Sequence, residues 1–253
     1  MELRLDGKTA LVTGASSGLG RHFASVLAAS GAHVALAARR KDRITALADQ
    51  INTSGGKALA VELDVSDRAA LSPALDHIEA NLGPVDILVN NAGIAVEGST
   101  LDMSDDDLDR IMDVNTKALW HLARRVSERL VKGGLPGSII NTASILGLNA
   151  APGLSLYAIS KASVVQMTKA LALDLWRYNI RVNAICPGYF KTEINADFFE
   201  TEAGKKAINR LPPRRLGAYE ELDGLLILLA SDASSFITGT AIPVDGGHAA
   251  KLA

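Results

Sequence analysis

Tyr157 and Lys161 lie four residues apart in Leu156-Tyr157-Ala158-Ile159-Ser160-Lys161, with Ser144 thirteen residues upstream. On a helix that spacing puts a phenol and an ammonium on one face. A free phenol, with pKa near 10, is almost wholly protonated at neutral pH. A neighbouring positive charge favours the phenolate and lowers that value. Such a phenol can take a proton from an alcohol or give one to a ketone oxygen. The spacing alone is weak evidence, since four tyrosines and 11 lysines in 253 positions produce it by chance about one time in six.

A second feature gives the pair a purpose. The apolar run Thr9–Thr13 leads into Thr13-Gly14-Ala15-Ser16-Ser17-Gly18-Leu19-Gly20 and then into a helical pattern. Glycines there permit a tight turn and close backbone approach, so that helix N–H groups can hold a pyrophosphate. The spacing is G-x-x-x-G-x-G rather than G-x-G-x-x-G. A second apolar run ends near Ala38, where an NAD site usually offers an acid to the ribose hydroxyls. This chain instead continues with Arg39 and Arg40. Guanidinium groups suit a 2′-phosphate, which favours NADP over NAD. A dinucleotide beside a proton-transferring phenol implies hydride chemistry at a C–OH or C=O group.

These groups must be held by a scaffold, and the chain supplies a regular one. Apolar runs at Thr9–Thr13, His33–Ala38, Ala58–Leu63, Ile87–Asn90, Ser138–Asn141, Arg181–Ile185 and Ala241–Val244 read as strands covered on both faces. Helical patterns fall between them, at about Gly18–Ser30, Arg43–Asn52, Arg68–Asn81, Asp105–Val131, Leu156–Tyr178 and Glu220–Ala230. The alternation predicts an α/β fold with a parallel sheet and helices on both faces. Ser104 is placed to cap a helix whose first turn carries Asp105, Asp106 and Asp107, matching the positive end of its dipole. Gly133-Gly134 and Pro136-Gly137 should end that helix and turn the chain. The segment 187–215 breaks the rhythm and is expected to be a substrate loop beyond a strand's carboxyl end. No linker or repeat intervenes, so residues 1–253 are expected to form one domain.

Composition removes several function classes. The chain is 48% hydrophobic and 21% charged, with a formal net charge of −2. It offers no basic field for nucleic acid or an anionic membrane. The five histidines have no ligand spacing, so no metal site is expected. The single cysteine, Cys186, cannot form an internal disulfide and reads as a packed thiol in a reducing compartment. Met1-Glu2-Leu3-Arg4 lacks a signal-peptide pattern, and no apolar run reaches membrane length. A cytoplasmic protein is expected.

Several ordered motifs resemble the short-chain dehydrogenase/reductase family along nearly the whole chain. They are the glycine turn, Asp64-Val65, Asn90-Asn91-Ala92-Gly93, Asn115, Ser144, Tyr157-x-x-x-Lys161, Pro187-Gly188-Tyr189-Phe190-Lys191-Thr192 and Gly239-Thr240…Val244-Asp245-Gly246-Gly247. The resemblance implies a single-domain, doubly wound Rossmann fold with a seven-stranded parallel sheet. It implies Tyr157 as acid/base, and Lys161 as the group that lowers its pKa and binds the nicotinamide ribose. Ser144 would polarise the substrate oxygen, and Asn115 would hold a water in a proton relay. Gly14, Ser16, Ser17, Gly18, Leu19 and Gly20 would meet the pyrophosphate, with Arg39 and Arg40 at the 2′-phosphate. Asp64 and Val65 would flank the adenine. Asn91, Ala92 and Gly93 would pack along the coenzyme, and Pro187, Gly188 and Thr192 would meet its nicotinamide end.

The chain departs from the family pattern in places. Ser17 stands where many NADP-dependent members carry a basic residue, and Ala143-Ser144 replaces the usual serine pair. Leu173 stands near the arginine of members that reduce acyl-carrier thioesters, which weakens that substrate class. From their placement after strand ends and in the long loop, Ile94, Val96, Leu146, Asn149, Tyr189, Phe190, Phe198 and Phe199 are expected to line the substrate cleft with Ser144. This mostly apolar set suits an aliphatic or aryl ketone, or the matching alcohol. The alternatives are an NAD-linked polyol or hydroxy-acid dehydrogenase, a 3-oxoacyl-thioester reductase, and a non-catalytic dinucleotide sensor. The resemblance also implies a homotetramer or homodimer. Val164, Val165, Met167, Leu171 and Leu175 on the tyrosine-bearing helix are compatible with that assembly.

Overall fold

The computed structural model describes residues 3–193 and 195–250. The expectations for the N-terminus, for a domain over 1–253 and for the 187–215 loop therefore fall in part outside the described residues. Seven strands form one parallel sheet: β1 Thr9–Thr13, β2 His33–Ala38, β3 Lys57–Glu62, β4 Ile87–Asn90, β5 Gly137–Thr142, β6 Ile180–Pro187 and β7 Ala241–Val244. Their order is β3-β2-β1-β4-β5-β6-β7, so the chain winds outward one way from β1 to β3 and the other way from β4 to β7. The strand order reverses between β1 and β4, where a doubly wound sheet opens a crevice at its carboxyl edge.

Side-chain alternation within the strands explains why helices cover both faces. Ala10, Val12, Val34 and Leu36 pack with helices α1 (Gly18–Ala29) and α2 (Lys41–Thr53). Leu11, Ala35 and Ala37 point the other way, toward α3 (Leu71–Leu82). Four boundaries agree residue for residue with the sequence reading, at β1, β2, β4 and β7. Strands β5 and β6 are longer than expected, and β6 takes in Cys186, which is fully buried.

The expected helix Asp105–Val131 forms and runs on to Gly133, with a local change of winding inside it. It consists of α4 (Asp105–Met112), a π-helical turn at Asp113–Lys117 and α5 (Ala118–Gly133). Ser104 caps α4 through a reciprocal capping box with Asp107, and Gly134 ends α5 in the left-handed conformation at φ 64°. The tyrosine-bearing helix α6 spans Ser155–Leu175 and ends in a short 3-10 turn. Segment 187–215 is not one irregular loop, since α7 (Ala196–Glu200) and α8 (Glu202–Arg210) form within it. Thr201 accepts a hydrogen bond from Gly204 N and so caps α8. A 3-10 turn at Tyr219–Leu222 precedes α9 (Asp223–Ala230), which shares the face of α1. Among the described residues no helix is long and apolar enough to cross a membrane.

Candidate active site

A cavity of about 930 Å³ opens at the carboxyl edge of the sheet, lined by residues from β1 through β6 and from the segment after β6. One part of its wall is the glycine turn. Gly14 has φ +68°, and a Cβ there would stand 2.9 Å from Ala92 Cα. Gly20 does not reach the cavity; a Cβ on it would meet Asn91 Nδ2 and Gly14 O at 2.4 Å each. Its expected contact with a pyrophosphate is thus corrected to close packing under the turn. Thr13 Oγ1 accepts from both Asn91 N (2.9 Å) and Ala92 N (3.0 Å), which fixes the second glycine-bearing segment beside the first.

The turn has the chemistry an anion needs. Helix α1 starts at Gly18 with no side-chain cap from Ser17 and no acidic residue in its first turn. Its leading N–H groups therefore lack intrahelical partners and carry the positive end of the dipole. Arg40 reaches over the same turn, with Nε and Nη2 donating to Ser16 Oγ (3.1 and 2.9 Å) and Nη2 to Ser17 Oγ (2.6 Å). Arg39, Asp64 and Val65 also line this end. Arg39 Nη1 stands 3.9 Å from Asp64 Oδ2. Asp64 accepts from Ser66 Oγ (2.6 Å) and Ser66 N (2.9 Å), and these bonds hold its carboxyl below the usual range. Backbone room, orphaned donors and guanidinium groups together fit a phosphorylated dinucleotide.

At the other end stand Ser144, Tyr157 and Lys161. Ser144 follows β5, its Oγ accepts from Leu146 N (3.1 Å), and its hydroxyl faces the Tyr157 phenol across the cavity wall they share. Lys161 is buried one helical turn on from Tyr157, and its Nζ donates to Thr142 O (2.8 Å). Burial brings its pKa from 10.5 to about 8. Cys186, within the same core, is pushed up to about 11 by burial.

Two of the expected catalytic residues are set by their surroundings. Tyr157 keeps some surface open to the cavity but is otherwise ringed by protein, and in the polypeptide alone its pKa is raised. Burial dominates and the neighbouring Ser144 hydroxyl only partly offsets it. The Lys161 ammonium stands 5.7 Å from the phenol ring centroid, with one N–H engaged by Thr142. Asn115, fully buried in the π-helical turn, does not line the cavity. Its Oδ1 accepts from Ile94 N (2.8 Å), and its Nδ2 donates to Ile94 O (2.9 Å) and Ser160 Oγ (3.0 Å). Ser160 Oγ in turn donates to Tyr157 O (2.8 Å). The Asn115 side chain thus ties the segment after β4 to the helix that carries the phenol.

Every other residue expected at the coenzyme lines the cavity: Gly14, Ser16, Ser17, Gly18, Leu19, Arg39, Arg40, Asp64, Val65, Asn91, Ala92, Gly93, Tyr157, Lys161, Pro187, Gly188 and Thr192. Of the substrate set, Ile94, Ser144, Leu146, Tyr189, Phe190, Phe198 and Phe199 do so. Val96 and Asn149 do not: Asn149 is exposed beyond the short turn Ile145–Gly147, and Val96 is half-buried outside the lining. Sequence reasoning missed Thr142, Glu97 and Glu193, which also line it. Thr142 acts through its backbone carbonyl, which no residue type advertises.

Comparison with known proteins agrees with this geometry. A family model described as enoyl-(acyl carrier protein) reductase matches residues 14–249. Oxidoreductase UcpA of Salmonella typhimurium is 41% identical over 253 residues, covering 96% of this chain and 95% of that protein. The chain belongs to the short-chain dehydrogenase/reductase family. It is an oxidoreductase of that family. A second relative, the 3-oxoacyl-(acyl-carrier-protein) reductase FabG of Thermotoga maritima, is 36% identical over 245 residues, with 97% of this chain and 99% of that one covered. The crystal structure of a gluconate 5-dehydrogenase from Burkholderia cenocepacia in complex with NADP and tartrate superposes with TM-score 0.95 and 36% identity, covering 99% and 98% of the two chains. The doubly wound sheet with helices on both faces is the fold of this short-chain dehydrogenase/reductase.

Proposed function

We propose that the chain is an NADP(H)-dependent carbonyl reductase or alcohol dehydrogenase acting on a neutral, largely apolar ketone or secondary alcohol. The observation that carries this reading is a phenol beside Ser144, one helical turn from buried Lys161, in the same cavity as the glycine turn and Arg40. A bound nicotinamide coenzyme supplies or accepts the hydride. Arg39, Arg40, Ser16 and Ser17 would hold its 2′-phosphate end, and Lys161 its nicotinamide ribose. The NADP named with the gluconate 5-dehydrogenase supports the same coenzyme.

The chain's own groups handle the proton. Ser144 donates a hydrogen bond to the carbonyl oxygen and orients it. Tyr157, kept protonated by burial, gives its proton to that oxygen as negative charge develops. Lys161, with a pKa near 8, can then restore the phenol's proton. Asn115 positions this helix, and a water beside it would extend the path to solvent.

Substrate preference follows from charge and apolar surface. Ile94, Leu146, Leu154, Tyr189, Phe198 and Phe199 line the substrate end. Glu97 also lines it, and its charge acts on Tyr189, helping burial to raise that phenol's pKa. Apart from Lys161, the cations lining the cavity are Arg39 and Arg40 at the far end. A substrate carboxylate would therefore face Glu97 without a partner, which weighs against a hydroxy acid. The test is NADPH oxidation over a panel of neutral and acidic ketones, with Tyr157→Phe as control. Equal activity in wild type and variant would refute the assignment.

For assembly, we propose a homotetramer or homodimer in the cytoplasm. Exposed Trp120 on α5, Ile159 and Leu173 on α6, and the Trp176–Phe236 edge contact at 6.1 Å support it. Light scattering checks the mass.

A further inference from the structure

The coenzyme end of the cavity is bridged by a carboxylate that the reaction does not use. Glu193 comes from the segment after β6, beside Thr192 and Asn195, which also line the cavity. Its Oε2 accepts from Arg40 Nη1 (2.9 Å), and its Oε1 accepts from Arg43 Nη1 (2.5 Å) in the first turn of α2. The remaining Arg40 donors rest on Ser16 and Ser17 of the glycine turn. One carboxylate therefore ties the far wall of the cavity to two guanidinium groups across its mouth. Tyr219 strengthens the tie by donating to Lys191 O (2.6 Å), and Asn195 Oδ1 accepts from Thr192 N (2.8 Å).

A phosphomonoester and a carboxylate compete for the same donors. The phosphate carries close to two negative charges and three acceptor oxygens, and a guanidinium fork suits both groups. Placed on one guanidinium they repel each other. A dinucleotide without the 2′-phosphate meets no such conflict and leaves the bridge intact.

We propose that Glu193 is a coenzyme-specificity residue, an internal anion that competes with the 2′-phosphate of NADP for Arg40 and so narrows the preference for NADP over NAD. This rests on the reading that Arg39 and Arg40 receive that phosphate. The Glu193 side chain is 53% exposed, so the competition must weaken with salt.

The test is calorimetric titration of the full chain and Glu193→Gln with NADPH, NADH, 2′,5′-ADP and 5′-ADP, at low salt and at about 0.5 M salt. The variant should bind NADPH and 2′,5′-ADP about three- to tenfold more tightly, with NADH and 5′-ADP within about twofold of wild type. The gain should shrink at high salt. Equal changes for all four ligands, or weaker binding of the two phosphorylated at the 2′ position, would overturn the proposal while leaving the NADP reading in place. A wild type that binds 2′,5′-ADP no better than 5′-ADP would overturn both.

Discussion

Lys161→Met should raise stability at neutral pH while abolishing turnover. Burial lowers the Lys161 pKa from 10.5 to about 8, so the folded chain holds this proton less firmly than the unfolded chain. At pH 7 both states carry the ammonium, and the folded state bears the full cost of burying it, about 3 kcal/mol at 1.36 kcal/mol per tenfold change in affinity for the proton. Methionine removes that cost and fills similar space. It also loses the hydrogen bond to Thr142 O and leaves that carbonyl without this donor, a loss of about 1 kcal/mol. The net expectation at pH 7 is a variant about 2 kcal/mol more stable than wild type. Between pH 8 and 10.5 the unfolded chain binds more protons than the folded one, so wild-type stability rises relative to the variant. The difference should fall to near zero by about pH 9.5. Urea unfolding of both proteins at pH 7 and about pH 9.5, at equal protomer concentration, measures it. A variant less stable at pH 7, or a difference that ignores pH, would refute the electrostatic reasoning.

Two other perturbations test the frame around the site and its selectivity. Arg181 is buried on β6, with Nη1 donating to Leu229 O (3.0 Å) and Ser234 Oγ (2.5 Å) and Nη2 to Ser231 O (3.1 Å). Arg181→Ala removes these three bonds and the packing of the buried stem, while Leu229 O and Ser231 O keep donors from Ser138 and Ser234, and should cost about 2 kcal/mol in the same urea assay. Glu97→Gln removes the negative charge beside Tyr189 and should raise kcat/KM for carboxylate-bearing ketones about three- to fivefold. Neutral ketones should change less than about twofold, and an equal gain for both would remove Glu97 from substrate selection.

The parts of this molecule legible in the sequence are those encoded locally. Strands β1, β2, β4 and β7 are bounded by changes of composition, such as Val12-Thr13-Gly14 and Ala38-Arg39, that a short window detects. Ser104 and Asp107 carry their capping chemistry within one turn. The π-helical turn at Asp113–Lys117 has no such local signal: its Asn115 amide bonds the backbone of Ile94, 21 residues away. Arg40 and Glu193 lie 153 residues apart, and their pairing exists only because β2 and β6 end at the same edge of the sheet. Helix α8 is hidden because most of its surface is polar, and α7, Ala-Asp-Phe-Phe-Glu, is too short to show a helical period; the Thr201 cap is the readable clue to α8.

The least local property is the phenol's acidity, and its direction bears on chemistry. Sequence spacing predicts that Lys161 depresses the Tyr157 pKa, because four residues on a helix bring charge near the ring. The fold decides otherwise by burying both groups. Burial disfavours phenolate and ammonium alike, which is why Tyr157 rises while Lys161 falls to about 8. Their free values, 10.0 and 10.5, lie close together, so groups pushed this way move apart in proton affinity, and the Lys161 ammonium becomes the stronger acid, able to reprotonate a phenolate downhill. A phenol held neutral is also the form that can donate to a carbonyl oxygen. Removing a proton from an alcohol needs the phenolate instead, the form that positive charge beside the ring favours.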